Sequence, residues 1–380
     1  MLTDRDSGAP VAAATTSLPE APGHDRQYDY RYAWLRDAAY AVATAALLGR
    51  NQASRNYLAF VGALMDRYGD HLPPLTTTAG APVPEERDIA GIAGWANTQP
   101  VRVGNAAASQ RQLDSPATVL DAIRTHLACG NPMTATTWRI VDRLATMLAD
   151  APFEPTSGIW ELRQPQLLVT DELARWIGLD KAEQIRRRHR PWLRRPHWTR
   201  ARHTAWKRVD ATLDHDTGML PQSFHGPPTV DAATLLAVIH GFYPRRSDKA
   251  KRLVHATVAA LEEGPFLRRH SIDDTNPETR EGAFIPVSWW AVTALATIGD
   301  LTTAHQRADD MCLHLPPLLS EEWSVEHDEP LGNTPLLWSH TETARALYHL
   351  HQERIRHRHG TPALKLWQTG RYLRLRTGRQ

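Results

Sequence analysis

Two short stretches of this sequence set a carboxylic acid beside an indole. In residues 156–163, TSGIWELR, Glu161 directly follows Trp160. A carboxyl desolvated by a neighbouring ring has its pKa raised and keeps its proton near neutral pH, as a general acid must. In residues 318–340, LLSEEWSVEHDEPLGNTPLLWSH, Glu321 and Glu322 stand just before Trp323. An ionised carboxylate there can polarise a water. Each has a plainer reading: an ordinary surface glutamate beside a packing tryptophan at 161, and a solvated charged loop over 326–329. Taken together, two carboxyls with aromatic walls are the apparatus that breaks a glycosidic bond.

Residues 27–37, QYDYRYAWLRD, supply what could hold a ligand against such a pair. Tyr30, Tyr32 and Trp34 alternate at a period of two, which puts three rings on one side of an extended segment. Arg36 and Asp37 are adjacent, so one can grip polar groups of a ligand while the other neutralises it. Ring faces beside a guanidinium and a carboxylate suit the floor of a sugar site. A buried ion pair among core aromatics is the competing reading. Residues 100–114, PVRVGNAAASQRQLD, add Arg102, Asn105, Gln110 and Asp114 as hydrogen-bonding groups, and Gly104 allows close backbone approach. Alone, this last stretch reads as a polar turn capping a helix.

The elements that must carry these residues are helices. Residues 38–48 form a run of small and apolar side chains that stops at Gly49. Residues 54–68 are amphipathic, with Leu58, Val61, Leu64, Met65 and Tyr68 near helical spacing. Further helices are expected at about 117–128, 134–149, 166–188, 231–239, 248–262, 285–298, 301–313 and 336–354. Residues 69–113 are rich in Pro, Gly and Thr and read as a long ordered loop, which on a compact domain is usually functional. Strand signals are scarce. The expected class is all-α, with the chemistry on the loops between helices.

Composition narrows the function classes. The chain has 380 residues, 42% of them apolar and 23% charged, with a formal net charge of +2. That near-neutral balance excludes a global field for nucleic acid or membrane binding. No stretch approaches the apolar length of a membrane span. The start, MLTDRDSGAP, has no apolar run behind a basic stretch, and Cys129 and Cys312 are the only cysteines. A cytoplasmic protein without a disulfide scaffold is therefore expected. The run RRRHRPWLRRPHWTRAR at 186–202 could bind nucleic acid. It reads better as a solvated outer helix and loop, with Trp198 and Trp206 packing inward. No HExxH or calcium-loop spacing occurs, so neither a metal nor another cofactor is expected.

The motifs also occur in a recognisable order. YDYRY-WLRDA, PVR-GNAA--Q-QLD, GIWE-R, EGAF---SWW, LLSEE and LGNTPLLWSH together resemble glycoside hydrolase family 15, the glucoamylase-like family that includes bacterial trehalases. The resemblance runs from about residue 8 to about residue 355. It implies an (α/α)6 barrel over 24–358, behind an irregular linker-like segment at 1–23 and before a basic tail at 359–380. It implies inverting hydrolysis of α-linked glucosides of maltose, isomaltose or trehalose type. By that carry-over Glu161 is the general acid and Glu321 the general base, with Glu322 as the rival base. Arg36 and Asp37 grip the terminal glucose, Tyr30 lies against the reacting ring, and Trp34, Trp160 and Trp323 belong to the aromatic surroundings. Arg102 and Asn105 support the loops near the mouth, and Asp231 caps a barrel helix.

Two departures from the family pattern carry expectations. The β-sandwich that precedes the linker in bacterial relatives is absent, so a second copy or another partner is expected to cover the barrel face. After Glu161 the usual lysine and serine are replaced by Glu172 and Asp171, which is expected to alter that side of the pocket. The alternative function is a repurposed member that binds a sugar-like ligand, or runs an acid/base step on a specialised small molecule with the same carboxyls.

Overall fold

The computed structural model describes residues 2–69, 71–271 and 281–377. Eleven helices run through these residues. They are α1 (Leu35–Leu47), α2 (Asn51–Tyr68), α3 (Asp114–Ala128), α4 (Ala135–Asp150), α5 (Val169–His189), α6 (Pro196–Asp210), α7 (Leu236–Ile239), α8 (Asp248–Leu261), α9 (Ile285–Ile298), α10 (Leu301–His314) and α11 (Leu337–Thr377). α7 extends a 3-10 turn, Ala232–Leu235. The odd-numbered helices form an inner ring: α1 packs on α3, α3 on α5, α7 on α9, α9 on α11, and α11 back on α1. The even-numbered helices pack outside them. The molecule is an (α/α)6 barrel.

The two rings differ because their sequences differ. α9, IPVSWWAVTALATI, is apolar on every side and buried on every side. α1 is built of alanines, which let its neighbours approach closely. The outer helix α4 is amphipathic and buries Ile140, Val141, Leu144, Ala145 and Leu148 on one face. Its N-cap Thr134 accepts the Thr137 N–H, as Ser247 does the Ala250 N–H at α8. The basic run at 186–202 spans the end of α5 and the start of α6. Trp198 is fully buried, and Arg186, Arg195 and Arg202 pair with Glu183, Asp142 and Asp180.

α11 breaks at Gly360, whose φ is +81°. Beyond it the chain folds back: Trp367 meets Tyr348 and His351 with ring centroids 5.8 and 5.3 Å apart, and the Arg371 guanidinium lies 5.0 Å over Tyr348. Residues 361–377, which read as a basic tail, are thus a sixth outer helix. Strands are short. β1 (Ala33–Trp34) pairs with β2 (Leu75–Thr76), β3 (Arg87–Ile89) with β4 (Val101–Val103), and β5 (Glu262–Glu263) with β6 (Phe266–Leu267). β7 (Ala283–Phe284), β8 (Glu322–Ser324) and β9 (Glu329–Leu331) form an antiparallel sheet in that order. The N-terminal segment has no helix, yet it is tied in. Ala12 and Ala13 donate to Tyr32 and Tyr30, and the Leu337 and Gly332 N–H groups donate to Ala12 and Pro19.

Gly178, in the middle of α5, shows how tight the ring is. A Cβ there would stand 2.4 Å from a Leu148 methyl and 3.0 Å from the Ala117 Cα. The methyl can swing away, but the α3 backbone cannot. Gly178→Ala gains about 1 kcal/mol of helix propensity and pays about 1–3 kcal/mol of overpacking. The expected outcome is a lower Tm in thermal unfolding, the reverse of what propensity alone requires.

Candidate active site

A cavity of about 850 Å3 opens at the N-terminal ends of inner helices, and all four chemically loaded stretches reach it. Tyr30, Trp34, Arg36 and Asp37 come from the entry to α1, and Arg102, Asn105 and Gln110 from the loop before α3. Trp160 and Glu161 come from the loop before α5. Glu321 and Trp338 come from the segment around β8 and the start of α11.

Glu161 sits in a tight turn. Its N–H donates to the Gly158 carbonyl, the Leu162 N–H to the Ser157 carbonyl, and the Gln110 amide to its own carbonyl at 3.0 Å. Its φ is +58°, which costs a non-glycine residue about 1–2 kcal/mol and belongs to a position held by its surroundings. Glu161 Oε1 accepts from Trp34 Nε1 at 2.7 Å and from Arg36 at 3.2 Å. The indole that meets this carboxyl is therefore Trp34, not the adjacent Trp160. Trp160 points its N–H at the buried Asp231, 2.9 Å away, and stacks on Trp338. Asp231 also caps the 3-10 turn through the Ala233 N–H, as expected.

Arg36 is the hub of this side. It reaches Asp37 at 3.2 Å, Asp114 at 3.4 Å and the Ile159 carbonyl at 2.9 Å, and lies 4.7 Å over the Trp338 ring. One guanidinium thus faces three carboxyls. Burial pushes Asp37 up to about 6 even against the attraction of Arg36, and Asp114 moves the same way for the same reason.

The opposite wall is built around Glu321, whose Oε1 accepts from the Tyr30 hydroxyl at 2.9 Å. Burial, then the charge of Glu20, holds Glu321 well above the usual carboxylate range. Gly332, with φ at +74°, lies against it. A Cβ there would be 2.9 Å from both Glu321 Cβ and Oε2, so only glycine fits. Tyr30 and Trp34 pack edge to face at 5.4 Å. One pair of rings therefore bonds to both carboxyls.

Two expected residues lie elsewhere. Glu322 is fully buried outside the cavity lining: it accepts from the Gly282 N–H at 2.9 Å and stands 3.5 Å from Arg269. β8 commits its backbone to Phe284 and Leu331. Trp323 packs in the core against Phe266, with ring centroids 6.1 Å apart, and does not reach the cavity. Arg102 and Asn105 do border it, but they bond to Asp25, Gln27 and Asp29 carbonyls and so hold the loops. Asp171 and Glu172, expected to alter the pocket, stay outside its lining. Asp171 bonds Thr156 beneath the Glu161 turn, and Glu172 pairs with Arg175 and Arg208.

Among the lining residues that escaped the sequence reading are Glu20, Arg269 and Glu281. Glu20 stood in the linker-like segment, Glu281 in the EGAF motif, and Arg269 in no motif at all. Arg269 pairs with Glu281, lies 3.8 Å from Glu20, and covers the Phe284 and Trp160 rings at 5.0 and 5.9 Å. Among the described residues, no group of three or more His, Cys, Asp or Glu is arranged to hold a metal ion.

Comparison with known proteins bears on the same arrangement. The family model described as glycosyl hydrolases family 15 matches residues 1–279. The chain belongs to this family. It is 29% identical over 360 residues to a trehalase of Mycobacterium tuberculosis, covering 92% of this chain and 52% of that one. To a trehalase of Thermoplasma volcanium it is 27% identical over 344 residues, covering 89% and 55%. The chain spans about half the length of these curated relatives. Among solved structures, a glycosidase variant in complex with glucose has a TM-score of 0.72 at 20% identity, covering 92% and 93%. A bacterial glucoamylase complexed with acarbose gives 0.67 at 15%, covering 92% and 53%. These likenesses establish the family 15 barrel. No helix among the described residues is long and apolar enough to cross a membrane.

The electrostatics beneath the Glu161 turn can be tested by stability alone. Burial raises Asp171 from 3.8 to about 7. The folded state then binds more protons than the unfolded state between those values, so this group's contribution is lost as pH rises through 7. Buried histidines such as His126 and His270, lowered to about 4, pull the other way. The informative quantity is therefore a difference between variants. Asp171→Asn is expected to gain stability relative to the parent as pH rises from 4 to 7, by up to about 1.4 kcal/mol per pH unit. Thermal unfolding of both proteins across that range checks the sign.

Proposed function

We propose that this chain is an inverting glycosidase acting on α-linked glucosides. The observation that supports it most is the approach of Glu161 and Glu321, from distant loops, to one cavity floored by Trp160 and Trp338. In this reading Asp37 and Arg36 take the hydroxyls of the terminal glucose. Glu161 Oε1 is held by Trp34 and Arg36, and Oε2 carries the proton to the departing glycosidic oxygen. Glu321, positioned by Tyr30, removes a proton from a water that attacks the anomeric carbon from the opposite face. An inverting pair must stand about 6.5–9.5 Å apart to admit that water. Burial strengthens each of these interactions by excluding competing solvent. The curated relatives above are trehalases, which makes trehalose the first substrate to assay, followed by maltose and isomaltose.

The test is a hydrolysis panel with the first-formed product anomer read by NMR. Release of β-glucose is expected, with kcat/KM reduced about 10²–10⁴-fold by Glu161→Gln or Glu321→Gln. First-formed α-glucose would remove the inverting assignment. Absence of turnover on every α-glucoside would remove the glycosidase reading and leave a sugar-binding role.

A further inference from the structure

Glu20 has no assigned role, yet it is almost fully buried at the wall of the cavity. The N-terminal segment puts it there: the Glu20 N–H donates to the Arg26 carbonyl, and the preceding Pro19 carbonyl accepts from Gly332. Its Oε1 lies 3.5 Å from the Tyr30 hydroxyl, the same hydroxyl that donates to Glu321 Oε1 at 2.9 Å. One phenol has one proton to give, and Glu321 takes it. Glu321 Oε2 is buried with no hydrogen-bond donor from the protein. The Cβ position of Gly332 is 2.9 Å from that Oε2 and 3.5 Å from Glu20 Cγ, so the two acids face each other past a residue without a side chain.

The surrounding charges do not neutralise both acids. Arg269 is 3.8 Å from Glu20 but bonds directly to Glu281, which Arg26 also pairs. Glu322 lies on the far side of Arg269 as a further acid. Two carboxylates cannot both stay ionised at such an unsatisfied, water-poor contact. A buried acceptor without a donor is costly, and a proton on the neighbouring acid supplies one.

We propose that Glu20 and Glu321 share one proton, and that Glu321 acts as base when the proton is on Glu20, whose O–H then donates to it. This rests on the reading of Glu321 as the water-activating base. Glu20 is then a positioning residue. Burial raises both acids, Glu20 to about 7 and Glu321 well above the usual carboxylate range, so the shared proton persists at neutral pH. In the reaction the water oxygen bonds to the anomeric carbon, the glycosidic bond breaks, Glu161 gives one proton and Glu321 takes one. The shared proton is not consumed.

An infrared difference spectrum between the parent and Glu20→Gln at pH 6 tests this without turnover. A protonated-carboxyl C=O band is expected in the parent, absent from the variant and lost from the parent by pH 8. No such band in the difference overturns the proposal, whether or not the chain hydrolyses glucosides. In kinetics, Glu20→Gln keeps a neutral donor. It is expected to hold kcat/KM within about tenfold while losing an ionisation near neutrality. Glu20→Val removes the donor and is expected to lose about 10²-fold. An unchanged pH profile in Glu20→Gln overturns the proposal, as does a loss equal to that of Glu321→Gln. Both readouts stand on the Gln variant even if Glu20→Val does not fold.

Discussion

Two guanidiniums, one buried and one largely so, each outnumbered by the carboxyls around it, are the constraint on which this site depends. Arg36 faces Asp37, Asp114 and Glu161, and Arg269 faces Glu20, Glu281 and Glu322. A buried charge is tolerable when paired and hydrogen-bonded, and costly otherwise. Each arginine therefore fixes the positions of its acids. The excess of acids in turn forces some to hold protons at neutral pH. Acid/base chemistry needs that mixture of charged and neutral carboxyls in one place. A single Arg–acid pair would give order without it.

The barrel supplies the rigidity that such a cluster demands. Glu161 occupies a left-handed backbone conformation, and Glu321 is pressed against Gly332. Both arrangements persist only if the flanking helices cannot relax. The all-apolar α9, the alanine-lined α1 and the interlocked Gly178–Ala117 contact provide that stiffness. Their N-terminal ends face the cavity, so the partial positive charge of the helices also favours acids there. The Tyr30–Trp34 ring pair is the shortest physical link between the two candidate carboxyls. It lies on the stretch 27–37, where aromatic rings alternate at a period of two.

Much of this was legible in the sequence, because it is written in local pattern. The apolar run bounds helix 285–298 as observed, and Asp231, opening the run DAATLL, caps a turn as the family resemblance implies. Tyr30, Trp34, Arg36, Asp37 and Glu161 stand out by type and spacing, and all reach the cavity. What was not legible depends on contacts between distant segments. Nothing local marks Arg269 as the partner of Glu20 and Glu281. Trp160 was assigned to Glu161 because it is adjacent, whereas the turn sends it to Asp231 and brings Trp34 from far away in sequence. The basic stretch after residue 359 looked like a tail because charge hides the spacing of Leu364 and Trp367.

The neighbours Glu321 and Glu322 show most clearly where sequence reasoning stops. The two have the same side chain and adjacent positions, and both are forced above the ordinary carboxylate range by burial. Their placement separates them: Glu321 lines the cavity and Glu322 does not. β8 gives Glu322 a backbone partner on each side, and its carboxyl meets the Gly282 N–H and Arg269. Glu321 precedes the strand by one residue and takes the Tyr30 hydroxyl at the cavity wall; each acid keeps one oxygen without a donor. An unsatisfied oxygen at the cavity wall can meet a water or a neighbour's proton, whereas one enclosed behind the sheet cannot. On the reading proposed above, the member that faces the cavity is therefore the base, and the enclosed one sits in the sheet beside it.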